Sequence, residues 1–470
     1  MKIALPARFD RSTASAHHLT LQSRTLLSVN LYLVRIVWVK AWHTLRRTIK
    51  ETPMITTSTD LTQAIRDRFA HVDNCPFSGP RVFFENAGGA LTLKSVVETS
   101  GTFAAIPDNQ GRDNPASAAL VNVIKQAKAD MAVFFNAPEG QFFVGESGTE
   151  LTFRLIRTAV MGSAAGGVVL GSSVEHPASR SAAQHWADIA GKPYVSVPHD
   201  DATGQVTPGS YAAAMTPDVR VATILHTSPV TGIANNVAGI AAAIRAVAPA
   251  AFIIVDGIQH ASHGRIDIAS YNIDGYVVSP YKVFSRHGYG VAWASDRLTA
   301  AGIETLKNGP EGNWEMGTRD TGAYATFSDV VKYFEWLGGE VSDDADPRKR
   351  IEAAGAAIHA HEHQLTHAML RGVDNLPGLA DLPGVNILGG ADNPDREGLV
   401  CFALDHVPAG DIVERLNAQG IRTHIRRADH YSGNILAPLG LDAAVRVSLC
   451  HYNTLDEVRS LLAAMKEISG

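Results

Sequence analysis

Four apolar runs in the middle of the chain each end in residues that can hold or move a proton. "GGVVLGSSV" leads into Glu175 and His176, "VATIL" into His226, Thr227 and Ser228, "FIIV" into Asp256 and Gln259, and "GYVV" into Ser279 to Lys282. An acid, an amide, a histidine and a lysine thus follow candidate strands. A lysine amine can add to a carbonyl carbon, and a carboxylate can keep a heteroaromatic nitrogen protonated. Taken singly, each has an ordinary explanation, since Asp-Gly after a strand makes a turn and a lysine usually sits in solvent. Their shared position gives them weight.

That position matters only if the runs are neighbouring strands. From about residue 93 to 310, short β-branched runs alternate with helical stretches. Strands are predicted at 166–171, 193–198, 220–227, 251–257, 275–279 and 290–295, with helices at 150–162, 178–191 and 237–249 between several of them. Continuous apolar strands with intervening helices predict a largely parallel sheet covered on both faces, an α/β domain. Ligands of such sheets bind beyond the carboxyl ends of the strands, where the four groups fall. After about residue 325 the pattern becomes a long helix, short strands at 398–404, 421–426 and 445–452, a helix "AGDIVERLNAQG", and a closing helix with Thr454 and Glu457 spaced as a capping box. This predicts an α+β second domain. The division is a basic extension over 1–53, a segment over 54–92 packing on the small domain, a large domain over 93–324 and a small C-terminal domain over 325–470.

With 470 residues, 45% hydrophobic, 19% charged and a formal charge of -6, the chain reads as globular, with no nucleic-acid or other polyanion partner implied. Cys75, Cys401 and Cys450 form no disulfide framework, which predicts a reducing, cytoplasmic setting. The first 53 residues carry nine Lys or Arg against Asp10 and Glu51. Arg35 and Lys40 interrupt their apolar stretch before a membrane span accumulates. A targeting segment and an upstream extension ahead of Met54 both fit; the extension is preferred because no small-residue cleavage site follows an uninterrupted apolar core.

A lysine and a carboxylate at the mouth of such a sheet suit pyridoxal phosphate, and "GESGTELTFRLIRTAV" offers a helix start at Gly148 and Thr149 for its phosphate. At this point the residues resemble a known family, the class V aminotransferase group of fold-type I pyridoxal-phosphate enzymes, especially its cysteine desulfurase and selenocysteine lyase branch. The resemblance rests on "VFFENAGGA" (82–90) and, in order, "SGTE", "VEHPAS", "HTSPVTG", "VDGIQ", "SPYK", "EMGTRDTG", "RRADHYS" and "VRVSLCHYNTLDEV" (445–458). It implies that Lys282 forms the Schiff base, Asp256 pairs with the pyridine nitrogen, Gln259 bonds the phenolic oxygen and His176 stacks on the ring. Gly148, Thr149, Ser279 and Tyr281 would hold the phosphate, and Thr318 would reach the phosphate of a second subunit in a homodimer with shared sites. Arg446, Arg426 and Asn86 would bind an amino-acid substrate.

Three departures stand out. Tyr431 occupies the place of the branch's nucleophilic cysteine, Pro229 that of an asparagine, and Tyr281 that of a histidine. A phenol cannot form a persulfide, so the expected function is an aminotransferase or Cβ-lyase, with Tyr431 and His430 near the leaving group. Desulfurase, epimerase or aldolase chemistry is the alternative on the same scaffold. From other classes, a nucleotide-binding protein lacks its Gly-x-Gly-x-x-Gly after the first strand. The one-sided histidines His359, His363 and His367 lack a completing ligand set, so no metal is expected. The intact lysine and aspartate argue against a non-catalytic relative.

Overall fold

The computed structural model describes residue 55 and residues 58–302, 304, 306–308 and 314–470. The basic extension, with its targeting or upstream-start reading, lies outside the described residues. The predicted β-branched runs form strands of one seven-stranded sheet: β1 (Gln141–Gly145), β2 (Val168–Ser172), β3 (Tyr194–Val197), β4 (Val219–Leu225), β5 (Phe252–Asp256), β6 (Gly275–Val278) and β7 (Gly290–Ala294). Their order is β1-β7-β6-β5-β4-β2-β3. Only β7 runs against its neighbours. The link from β6 to β7 carries Lys282 and holds only a short 3₁₀ turn, Pro280–Lys282, too little for the helical crossover that a parallel return needs. The sequence reading passed over β1, whose place is fixed by pairing Gly145 with Gly290 on β7.

Helices cover this sheet, each with a sequence reason to start. In α1 (Pro115–Phe135) Asn114 caps the helix and Pro115 occupies its first turn. The side chain of Ser147 accepts the Glu150 N–H to open α2 (Gly148–Gly162), and His176 precedes Pro177 at the start of α3 (Pro177–Ile189). Helix α4 (Val237–Val247) connects β4 to β5. Two long helices follow, α5 (Thr321–Val341) and α6 (Pro347–Arg371). Phe327 and Phe334 of α5 pack edge-on to Phe134 of α1, with ring centroids 5.6 and 5.1 Å apart. None of the described helices is long and apolar enough to cross a membrane.

The C-terminal part builds an antiparallel sheet from β8 (Val385–Ile387), β9 (Leu399–Leu404), β10 (His424–Arg427) and β11 (Ala443–Ser448), in the order β8-β9-β11-β10. Helices α7 (Ala409–Ala418) and α8 (Leu455–Ser469) complete it, and the expected Thr454–Glu457 capping box is present. The predicted strand 421–426 is split around buried Thr423. Ile421–Arg422 pairs in parallel with Val82–Phe83, and His424–Arg427 joins the sheet. The predicted strand 445–452 stops at Ser448, where the Cys450 N–H turns inward to Asn453 Oδ1. Ile351 and Ile358 of α6 lie in the core over the first sheet, and Leu365 and Met369 of the same helix lie in the core over the second. Residues 53–470 form one compact unit.

The amino end of β6 is tied by paired charges. Buried Asp274 accepts from Arg245 Nη2 at 2.7 Å, Arg297 Nε at 2.9 Å and the Ile253 N–H at 2.9 Å. The opposite, carboxyl end of the sheet is where charges are left with few partners.

Candidate active site

Thr149, His176, Asp256, Gln259, Ser279, Tyr281 and Lys282 line one cavity at the carboxyl ends of the strands. Each arrives there through its own element. Asp256 is the last residue of β5, and Gln259 lies one turn beyond. Ser279 follows β6, and Lys282 ends the 3₁₀ turn after it. His176 caps α3, its Nδ1 accepting the Ala178 N–H at 3.2 Å, so the ordinary structural role and the cavity position coexist in one ring.

Gly148, the neighbour of cavity-lining Thr149, has no room for a side chain. A Cβ there would stand 2.3 Å from Ser279 Oγ and 2.8 Å from Ile258 Cδ1. Gly290 of β7 is equally constrained, since its Cβ would meet the Gly148 nitrogen at 2.6 Å. The start of α2 is therefore pressed against a hydroxyl and a strand, and its free amides and dipole favour an anion.

The Lys282 amine donates to Gln259 Oε1 at 3.2 Å. Burial, then the charge of Arg446, pulls it down to about 7 against the opposing pull of Asp256. An amine that loses its proton near neutral pH is a usable nucleophile. Asp256 is buried, accepts from the Ile258 N–H at 3.1 Å and from Ser179 Oγ at 3.3 Å, and is raised by burial. His176 is pushed down to about 3 by burial and by Lys282, so its ring is neutral. Glu175 beside it is fully buried and pushed up to about 8 by burial and by Asp256.

Arg446 on β11 and Arg426 on β10 are diagonal neighbours, because His424 lies opposite Arg446 and Arg426 opposite Ala444. Buried Arg446 donates from Nη1 to the Pro229 carbonyl at 3.0 Å, and its Nε has no partner. Burial, then Arg426, brings it down to about 9. Pro229, which lacks the side-chain donor of an asparagine, thus contributes a backbone acceptor.

Other expected residues stand elsewhere. Asn86 is buried, its amide donating to the Ser448 carbonyl at 2.8 Å and the Phe83 carbonyl at 3.1 Å and accepting from Tyr452 Oη. Thr318 lines a separate surface cavity with Gln110 and Arg319. Tyr431 is 45% exposed at the rim, its ring 6.0 Å from that of His176. His359, His363 and His367 face solvent along α6. All three cysteines are buried. Cys401 lies opposite Arg446 in the sheet, but it is fully enclosed and its thiol is pushed up to about 11 by burial, so it offers no accessible thiolate.

Sequence reasoning missed the layer beneath the cavity. Gln259 Nε2 lies 3.2 Å from His263 Nε2, and His263 Nδ1 lies 2.8 Å from Glu362 Oε2 on α6. His263 and Glu362 are 99 positions apart in sequence, so no local pattern could pair them.

The profile of the family "Aminotransferase class-V" matches residues 82–461. A "Probable cysteine desulfurase" of Xylella fastidiosa (strain 9a5c) is 25% identical over 414 residues, covering 83% of this chain and 91% of that protein. The "Cysteine desulfurase-like protein ustD" of Aspergillus flavus is 25% identical over 409 residues, 83% of this chain and 88% of its own length. Among solved structures, the cysteine desulfurase CsdA of Escherichia coli superposes with a TM-score of 0.69 at 22% identity, over 86% of this chain and 98% of that one. Matched over most of its length and folded as these enzymes are, the chain belongs to the class V aminotransferase family of pyridoxal-phosphate enzymes.

Proposed function

We propose that this chain acts on an amino acid through a Schiff base at Lys282, either transferring its amino group or releasing a group from Cβ, without a cysteine nucleophile. The observation that carries the reading is the Lys282 amine, brought down to about 7 inside a cavity it shares with Asp256 and Gln259.

The residues present fit the cofactor. Gly148, Thr149 and Ser279 form an anion cradle at a helix start for the phosphate, with Tyr281 beside them. Asp256 would hold the proton at the pyridine nitrogen, His176 would lie on the ring face as a neutral imidazole, and Gln259 would bond the phenolic oxygen. When bound, pyridoxal phosphate supplies the electron sink that accepts charge developing at the substrate Cα. Lys282 Nζ would move the proton at that carbon. Arg446, with Arg426 beside it, would take the substrate carboxylate through its planar fork.

Tyr431 and His430 at the rim would stand next to the leaving group. Exposed Thr318 would serve the phosphate site of a second copy, making a homodimer with shared sites. Buried, unpaired cysteines suit a cytoplasmic setting.

The test is the visible spectrum of the protein with added pyridoxal phosphate, followed while a panel of amino acids is mixed in without keto acid. Lasting conversion to the amine form of the cofactor marks an aminotransferase and its donor. A transient change with keto acid and ammonia released marks a lyase. An unchanged cofactor band in the Lys282→Ala variant would overturn the reading.

A further inference from the structure

Beneath the cavity, an acid and a histidine are sealed away from water with only Gln259 between them and Lys282. His263 and Glu362 side chains are each 2% exposed and 2.8 Å apart. Isolated ionic pairs at such depth cost free energy unless they are well placed, so their position requires a reason beyond tying the turn after β5 to α6. The space for the carboxylate is kept open by a missing side chain, because a Cβ on Gly398 would come within 2.8 Å of Glu362 Oε2. The second carboxylate oxygen, Oε1, is buried without a hydrogen-bond partner. Glu362 is thus committed to His263 alone.

The amide of Gln259 reports on this pair. Its Oε1 accepts from Lys282 and its Nε2 faces His263 Nε2. Two nitrogens at 3.2 Å bond only if the imidazole nitrogen is unprotonated there. If His263 carries a proton on Nε2, that face becomes a donor, the amide must turn its oxygen to the histidine, and its NH₂ then points at the cavity. An amide pointing that way donates to a phenolate oxygen; turned the other way it opposes lone pair to lone pair.

We propose that His263 and Glu362 are positioning residues whose shared proton fixes the Gln259 amide with its NH₂ towards the cofactor's phenolic oxygen, and that they thereby set the acidity of the Lys282–cofactor linkage. The inference rests on the proposed role of Gln259. Burial alone would lower His263, but the Glu362 charge outweighs it and the net direction is upward, while burial raises Glu362. Both directions retain the extra proton on the pair. The other titratable groups acting on the two are Glu397, His260, His359, Lys282, Cys450, His451 and Tyr452. Cys450 Sγ shares the pocket within 4.8 Å, but its thiol is raised far up by burial.

The experiment is a spectral pH titration of the pyridoxal-phosphate-loaded protein. A donor lost from a phenolate is a hydrogen bond to a charged group, ~1.5–3 kcal/mol, which corresponds to a rise of about 1 to 2 pH units in the midpoint of the visible band. Glu362→Gln removes the carboxylate that holds the proton while keeping the side chain's shape, so this rise is expected. The paired charges are replaced by neutral groups, so the net charge is unchanged and the effect must run through Gln259. In the Gln259→Leu background the same Glu362→Gln change is therefore expected to move the midpoint by less than about 0.3 units, a non-additivity that a merely structural role would not produce. An unshifted midpoint in E362Q, or an equal shift in both backgrounds, overturns the proposal. Loss of the visible band in every protein, wild type included, would instead overturn the parent reading. Should E362Q fail to fold, neutron diffraction from the loaded wild type decides: a deuteron on His263 Nε2 aimed at Gln259 Oε1 is expected, and its absence refutes the proposal.

Discussion

The Pro229 carbonyl is the only hydrogen-bond acceptor that Arg446 finds among the described residues, at 3.0 Å from Nη1. The nearby carboxylate, Glu85, is engaged by Arg422 and His424. A buried guanidinium without a counter-ion is an incomplete pair, and on the proposed reading a substrate carboxylate would complete it. Arg446→Lys keeps the charge and loses the fork. We expect KM for the amino acid to rise about 10- to 100-fold, from ~1.5–3 kcal/mol per charge-assisted hydrogen bond, with the cofactor band unchanged. Steady-state kinetics check this; an unaltered KM would place the carboxylate elsewhere.

Lys282 should make the cofactor-free protein less stable, in a pH-dependent way. Its folded value of about 7 lies below the ordinary lysine value, so the unfolded chain binds more protons between the two and stability rises with pH there. The cost is full below pH 7 and fades towards about 10. Lys282→Met is therefore expected to be more stable than wild type at neutral pH, with the gain shrinking as the pH approaches 10. Chemical denaturation of both apo-proteins at pH 7 and 9.5 tests the sign.

Gly148→Ala would set a methyl group 2.3 Å from Ser279 Oγ. Overpacking of this kind costs ~1–3 kcal/mol. We expect a lower melting temperature and at least about 10-fold weaker cofactor binding. Adding Ser279→Ala should recover much of the melting temperature but not the binding, because the hydroxyl would belong to the proposed cradle. Recovery of both would separate Ser279 from the phosphate.

Tyr431 stands exposed at the rim where a thiol would be needed for sulfur transfer. Wild-type protein incubated with cysteine should carry no persulfide by mass spectrometry, whereas Tyr431→Cys should gain one sulfur at the new thiol. A persulfide on Cys75, Cys401 or Cys450 of the wild type would contradict the burial argument.

At the other end of the sheet, Asp274→Ala removes the shared acceptor of Arg245, Arg297 and the Ile253 N–H. Breaking a buried pair costs ~3–5 kcal/mol, and cofactor affinity in the folded fraction should not change. Denaturation midpoints and a cofactor titration measure the two effects separately.

The gathering of Asp256, Ser279 and Lys282 was legible because they end or closely follow apolar runs that form the neighbouring strands β5 and β6. Arg446 and Arg426 were legible as residue types in a motif, but their diagonal pairing depends on the break in the strand at Thr423. Motif reading has a limit, as at Asn86: a sequence displays an amide's bonding capacity but not which backbone groups it meets. The same limit hid His263 and Glu362, whose meeting depends on how α6 packs beneath the turn after β5. Strand β1 escaped because five residues beside a helix start carry little period of their own.

The cavity's acid ends a strand of the seven-stranded sheet and its lysine and amide sit in the turns that follow two of those strands, whereas both arginines lie in the four-stranded sheet. On the proposed reading, cofactor alone would anchor to the seven-stranded side. An amino acid joined to that cofactor through its nitrogen, with its carboxylate at Arg446, would add a second link between the two sheets beside the Arg446–Pro229 contact that already ties them.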